Sequence, residues 1–466
     1  VRVGIWGTMG SGRPAATVRR RRGLPRCGLP KGGVSLGGPE RRTTALLLGT
    51  TLAVAGGAAA CSQGDRRPDP RDAVRLDVAP RDGTALLRPD SAIDVRARNG
   101  TIENVTVRTK GTRVEGRLNG DRDRWRSRWT LDPGTDYTVV ATAVGRDGRT
   151  STVTSHFGTD KPDKKLGIGL AAPDNGETVG VGMPIVLNFE QEVTDRAAVE
   201  RALELRSSRP VEGAWHWFDN QNLVFRTRNY WPTQTDVRFR AHLSGVRAAP
   251  GTYGTQNFDV AFRVGDQHVI KADEDAHKMW VAHNGRLVRT IPISMGRGGI
   301  EKYTTTNGVH LTMEKGNPVI MDSSTVGCGP GCADYYRQTV YYAVRISNSG
   351  EYVHSAPWSV GSQGSENVSH GCVNASPEDA RWFYDFVYRG DPLTVTGSSR
   401  ELQPDNGWGY WQMKWDDWVK GSALRRSLVV GPNGSASTPV SVQAPSQAGR
   451  SSPPGTHPNH DGANRD

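Results

Sequence analysis

The sequence predicts a mainly β protein: tandem sandwiches followed by a further β-rich domain. Three observations carry that prediction. Short apolar runs alternate with polar residues, as in Ile93-Asp94-Val95-Arg96-Ala97 and Val105-Thr106-Val107-Arg108, the period-two pattern of strands with one buried face. Turn pairs punctuate these runs at Asn99-Gly100, Asn119-Gly120, Pro133-Gly134 and Asp147-Gly148. Finally, 466 residues with 56 Gly, 28 Pro and 35% hydrophobic content are turn-rich and poor in core-formers for one compact α/β enzyme. Such a length leaves room for roughly two to four domains.

The N-terminal segment is not part of that fold. Residues 1–60 hold ten basic side chains against one acid, Glu40, so +9 of the formal +11 lies there and residues 61–466 carry +2. The overall charge invites a nucleic-acid partner, but its confinement to the N-terminus removes that reading, and no nucleic acid is expected. Arg41-Arg42 precede eighteen uncharged, mostly apolar or small residues, Thr43 to Ala60. A basic flank, an apolar stretch and small residues read as an export signal, residues 1–60. The stretch is short and rich in Gly, Ala and Thr for a permanent span. Ala58-Ala59-Ala60-Cys61 resembles the lipobox of bacterial lipoproteins. That resemblance implies acylation of Cys61, and two or more chains anchor a protein stably to a membrane. Residues 61–72 are then the lipidated Cys and a polar tether.

The first sandwich is expected over residues 73–160 and the second over 166–265, with Lys161 to Lys165 a charged joint. Pro133 to Val139 (PGTDYTV) echoes Pro232 to Arg238 (PTQTDVR) at an offset of about 100 residues, one sandwich length, so both blocks read as immunoglobulin-like domains. A helix-like stretch, Asp195 to Glu204, interrupts the second. Neither block shows a cluster of exposed chemistry, and both read as spacers. From residue 266 a new β-rich domain begins, with a hairpin at Asn284-Gly285, and runs to 398. A Trp-rich subdomain, 399–429, carries Trp408, Trp411, Trp415 and Trp418. Residues 430–466 are Ser-, Pro- and Gly-rich and are expected to be a disordered tail.

The chemistry lies in the domain over 266–398. An exported protein sits in an oxidising compartment. Cys328 and Cys332 occur in Cys-Gly-Pro-Gly-Cys, a turn able to bring them together, and pairing them leaves Cys372 odd. Cys372 lies in Ser369-His370-Gly371-Cys372-Val373-Asn374, with His354-Ser355 upstream. A thiol of pKa ~8.5 is only a few per cent thiolate at neutral pH and needs a base, and histidine titrates in the right range. Gly371 lets a substrate approach the backbone and can free its N–H for an oxyanion. Ser376-Pro377-Glu378-Asp379 then starts a helix, with Ser as N-cap and Pro at the first turn, and Ala380, Phe383 and Val387 mark its apolar face. Taken singly, Cys372 is a small buried residue and each His is structural. A zinc site is the rival, but Cys-x3-Cys lacks the usual ligand spacing and no second pair follows, so no metal and no cofactor are expected.

A His, fourteen residues, then Ser-His-Gly-Cys-x-Asn resembles the signature of the L,D-transpeptidases (YkuD-type catalytic domain). The resemblance extends to His354 to Ser359 (HSAPWS), to Ile320 to Ser324 (IMDSS) and to the Trp-rich segment. The two upstream sandwiches match the layout of the actinobacterial members. It implies acyl transfer in the cell wall: Cys372 attacks the third residue of a peptidoglycan tetrapeptide stem, D-alanine leaves, and an acceptor amine resolves the thioester into a 3→3 crosslink. It implies His354 as the base, Ser355 as the residue orienting it through a backbone carbonyl, and His370, Gly371 and Asn374 as residues shaping the site. Backbone N–H groups around Gly371 and Cys372 would form the oxyanion hole. Tyr336, Met321, Trp358 and Ser369 match substrate-binding positions. Implied partners are the donor and acceptor stem peptides, the membrane through the N-terminal lipid, and carbapenem β-lactams as inhibitors. The Cys328/Cys332 pair departs from the family: a small disulfide stiffening the lid is expected, against two free thiols or a mixed disulfide with Cys372. Other readings are an L,D-carboxypeptidase, a cell-wall cysteine peptidase (disfavoured because His354 precedes Cys372), and a non-catalytic wall-binding lipoprotein. Two sandwiches, each roughly 30 Å long from strands of about 5–8 residues, would hold the third domain away from the membrane.

Overall fold

The computed structural model describes residues 73–110 and 112–437. The expected signal segment, the expected lipidation site Cys61, the expected tether and residues 438–466 lie outside them. Strands carry the fold, and the longest helix among the described residues is Pro377–Phe386.

The first block packs a four-stranded sheet against a five-stranded one. Alternation puts Ile93, Val95, Val107, Val139 and Phe157 into the core between them, while the intervening residues face solvent. The second block holds a six-stranded and a four-stranded sheet and a small three-stranded one, with Leu187, Phe225, Phe239 and Trp215 in its core. Its short helix, Arg196–Arg201, starts where Asp195 Oδ1 accepts the Ala198 N–H at 3.4 Å. The charged joint is not free chain. Lys164–Leu166 forms a strand parallel to Thr252–Gly254, so the second block begins inside the segment expected to connect.

Two expectations for the C-terminus fail here. Residues 430–437 are not tail: Leu428–Gly431 and Gly434–Ser437 form a hairpin that extends the second sandwich, with Val430 opposite Val211 and Leu428 opposite Gly213. The strand Val211–Trp217 had a free edge, and the hairpin covers it. Nor is 399–429 a subdomain of its own. Trp408, Tyr410 and Trp418 join the core of the second block. Arg226 sits among the tryptophans of this segment, its guanidinium carbon 4.6 Å from the Trp418 ring centroid, 4.8 Å from Trp411 and 5.4 Å from Trp415. Arg226 also donates to the Met413 carbonyl at 2.8 Å. Burial pulls its pKa down to about 10, and the ring faces compensate the desolvated charge.

The third domain is built on one 11-stranded sheet. Asn284 and Gly285 both take positive φ, 49° and 78°, as a two-residue hairpin turn requires. The helix Pro377–Phe386 is capped by Ser376, whose Oγ accepts the Asp379 N–H at 3.1 Å. Its apolar face, Ala380 and Phe383, is fully buried, as is Val387 just beyond it. This domain docks on the second sandwich through backbone: Gly180 N–H donates to Arg389 O at 2.8 Å and Gly182 N–H to Gly390 O at 2.9 Å. Arg389 clamps the seam, with Glu177 at 2.6 Å and Asp174 at 3.3 Å. Gly180 is required by the closeness of the approach, since a Cβ there would lie 2.3 Å from Asp391 N.

Candidate active site

Two short parallel strands set the site. Tyr352–Ser355 pairs with Val373–Ala375 in the register Val353–Val373, His354–Asn374, Ser355–Ala375. Side chains alternate along a strand and match across a ladder. His354 and Asn374 therefore share a face, and Cys372, two residues before Asn374, projects to the same side. All three line a cavity of about 250 Å³, together with Met321, Tyr336 and Trp358. Sequence reasoning did not single out Gln338, Val340 and Val368, which complete the wall.

His354 is 4% exposed, and its Nδ1 lies 2.9 Å from the Ser355 carbonyl oxygen. A carbonyl can only accept, so Nδ1 carries the proton and Nε2 presents its lone pair. Burial pushes the His354 pKa below the usual imidazole range, with the Ser355 hydrogen bond opposing. The ring is thus held in one tautomer, and burial favours its neutral form.

Cys372 is buried, and its Sγ donates to the Gly350 carbonyl at 3.6 Å. Burial pushes the thiol up to about 12; a backbone hydrogen bond with Tyr352 opposes this and the Glu351 carboxylate adds to it. The resting sulfur is therefore a protonated thiol turned toward Gly350, and no hydrogen bond joins it to His354 here.

The turn before Cys372 is held rigidly. Ser369 Oγ donates to the Cys372 carbonyl at 2.6 Å and accepts the Gly371 N–H at 3.1 Å. Thr305 Oγ1 donates to Gly371 O at 3.0 Å. Gly371 takes φ +114°, a conformation open essentially to glycine. These bonds engage the Gly371 N–H and the Ser369 hydroxyl within the turn, and Ser369 also borders the cavity. Asn374 Nδ2 donates to Ser359 Oγ at 3.1 Å, tying the Pro357–Ser359 turn to the strand. That turn carries Trp358, 51% exposed, with its ring centroid 6.0 Å from that of His354. His370 packs edge-on to Tyr303, with ring centroids 4.7 Å apart, and lies 5.1 Å from Tyr336. Its pKa is lowered, first by burial and then by Arg297.

The L,D-transpeptidase catalytic domain family matches residues 267–395, and the bacterial Ig domain family matches residues 84–247, spanning both sandwiches. L,D-transpeptidase 2 of Mycobacterium tuberculosis is 35% identical over 415 residues, covering 85% of this chain and 100% of that protein. The chain belongs to the L,D-transpeptidase family. L,D-transpeptidase 5 of the same organism is 35% identical, covering 77% of this L,D-transpeptidase and 79% of the relative. A solved structure of LdtMt1 in complex with imipenem is 38% identical, covers 50% of this chain and 100% of that one, and has a TM-score of 0.42.

In this L,D-transpeptidase the segment over residues 323–336 closes one side of the cavity. Cys328 and Cys332 form a disulfide within it, with Cα atoms 5.5 Å apart, and Cys372 stays free. Ser323 anchors the loop's base, its Oγ donating to Cys328 O at 2.8 Å and accepting the Tyr336 N–H at 2.9 Å. At the other end Asp334 accepts the Tyr303 hydroxyl at 2.5 Å and Arg297 at 3.4 Å. Tyr336 lies two residues further on, and burial raises its phenol to about 12, with Cys372 contributing. Sequence reasoning missed Glu351. This buried carboxylate accepts the Thr306 N–H at 2.6 Å and the Thr306 hydroxyl at 2.7 Å. It ties the turn that presents Gly350 O to the segment that holds Gly371. Its neighbour in sequence to Tyr352-Val353-His354 was the available signal: an acid opening a buried strand has to be satisfied inside.

Proposed function

We propose that this enzyme joins peptidoglycan stem peptides by 3→3 crosslinks through a thioester on Cys372. The observation that carries the reading is one cavity lined by Cys372, His354 and Asn374, with His354 held in one tautomer by the Ser355 carbonyl. A donor tetrapeptide enters between Met321, Tyr336 and Trp358. Rotation of the Cys372 side chain away from Gly350 brings Sγ to His354 Nε2, which takes the proton as sulfur attacks the carbonyl of the third residue. Collapse of the tetrahedral adduct breaks the peptide bond, and the imidazolium returns the proton to the D-alanine amine. The thioester then meets the side-chain amine of a second stem. His354 takes a proton from that amine, the new amide forms, and the thiol is regenerated. Asn374 and Ser359 hold the Trp358 turn, and Ser369 with Thr305 holds the nucleophile's turn.

Carbapenems would acylate the same sulfur, because a strained β-lactam carbonyl presents the same target. Cys61 would carry the acyl chains that hold the enzyme on the outer face of the membrane, with the sandwiches carrying the third domain into the wall. The reaction is tested by incubating the enzyme with a defined disaccharide-tetrapeptide and analysing products by mass spectrometry. The expected result is free D-alanine and a 3→3 dimer from the wild type and neither from Cys372→Ala. Turnover by Cys372→Ala overturns the cysteine mechanism, and tripeptide without dimer identifies water as the acceptor, which makes the enzyme a carboxypeptidase.

A further inference from the structure

A second cavity, of about 300 Å³, lies where the two sandwiches meet the C-terminal hairpin, a size suited to a small ligand. Its charges do not cancel. Arg117, Arg128, Arg201 and Arg426 line it against Glu200 and Glu204. Both glutamates are already satisfied: Glu200 by Trp217, Ser422 and the Ala423 N–H, Glu204 by Arg206, His242 and Arg128. Arg117, Arg201 and Arg426 form no ion pair among the described residues, so the cavity keeps a positive surplus. It also keeps unused donors. Trp129 Nε1, Trp215 Nε1 and Arg426 Nε are buried N–H groups with no acceptor, on three residues that border the same cavity. Buried donors are normally paired, so three around one positive cavity call for an acceptor-rich anion. Trp129 is fixed in place, stacked on His242 with centroids 3.7 Å apart and carrying Arg128 at 4.8 Å. Leu203, Leu424 and Leu428 supply an apolar wall.

We propose that this cavity binds the free carboxylate end of a peptidoglycan stem peptide. The proposal rests on the peptidoglycan reading above. A carboxylate is acceptor-only and matches the orphan N–H groups and guanidinium groups, and the leucine wall takes the small side chain beside it, which inorganic phosphate does not have. The site gives the wall a second hold, on the sandwiches.

The test uses the full chain carrying Cys372→Ala, which prevents turnover, with ¹⁵N-labelled tryptophan. The disaccharide-tetrapeptide is titrated while the indole N–H signals are followed, Trp129 and Trp215 being assigned by Trp→Phe substitution. Trp358 reports the catalytic cavity in the same spectrum. The expected result is saturable movement of the Trp129 and Trp215 signals, at least tenfold weaker in Arg117→Glu/Arg201→Glu, both exposed positions whose reversal leaves the core intact. Inorganic phosphate at equal concentration should leave them in place. Static Trp129 and Trp215 signals, equal movement with phosphate, or unchanged affinity in the double variant each overturn the proposal. D-alanine release is read separately on wild-type enzyme, so failure of the catalytic reading and failure of this site are distinguishable.

Discussion

Alkylation of Cys372 tests the proton state of the site. Burial holds the thiol at about 12. With a tenfold change per unit, about one molecule in 10⁵ is thiolate at pH 7, against about three in 100 for an unperturbed cysteine of pKa ~8.5. Iodoacetamide reacts with the thiolate, so the resting enzyme should be alkylated about 10³-fold more slowly than a cysteine peptide at pH 7. Its rate should climb about tenfold per pH unit to pH 10 and beyond. The assay is intact mass against time, with the modified residue mapped by peptide analysis, while Cys328 and Cys332 remain bonded. Turnover should behave differently. The His354 pKa is lowered, so the ring stays neutral as pH falls, and the acid limb of kcat/KM should lie below the ordinary imidazole value of about 6.5. An alkylation plateau reached below pH 8.5 would mean a preformed thiolate–imidazolium pair and would refute this reasoning.

Glu351→Gln keeps the shape and removes the charge that helps raise the thiol; the alkylation profile should move to lower pH, and an unmoved profile would deny the carboxylate any electrostatic role. Trp418→Ala deletes a fully buried ring that donates to Ala214 O at 2.9 Å and stacks on His216. It should cost about 3–5 kcal/mol in denaturant unfolding. Gly180→Ala forces a Cβ against Asp391 N at 2.3 Å. The overpacking should cost about 1–3 kcal/mol and open the seam between second sandwich and third domain to limited proteolysis.

What the sequence revealed and what it hid have separate causes. Cys372, Asn374 and His354 were legible because they lie on, or directly before, two short neighbouring strands, so a compact motif already encodes their placement. The helix Pro377–Phe386 was legible from its cap and period. The Lys164–Leu166 strand and the hairpin over 428–437 were not, because each is completed by a distant edge; Leu428-Val429-Val430 before Asn433-Gly434 was the local trace, masked by a polar composition. The aromatic cage of Arg226 joins residues nearly two hundred positions apart, which no window along the chain detects. At the site, the hydroxyl of Ser369 reads as a substrate contact in sequence, and only the folded turn reveals that it also bonds the Gly371 N–H and the Cys372 carbonyl. Glu351, Thr305 and Asp334 act through tertiary contacts alone.

The central claim is that Cys372 carries the acyl group between donor and acceptor. Rapid-quench intact mass spectrometry with the tetrapeptide donor and no acceptor tests it most directly. The expected result is a transient adduct equal to the donor less D-alanine, mapped to the peptide containing Cys372, lost in Cys372→Ala and discharged into dimer when acceptor is added. Dimer formation at full rate with no adduct on Cys372, or with the adduct on another residue, would contradict it.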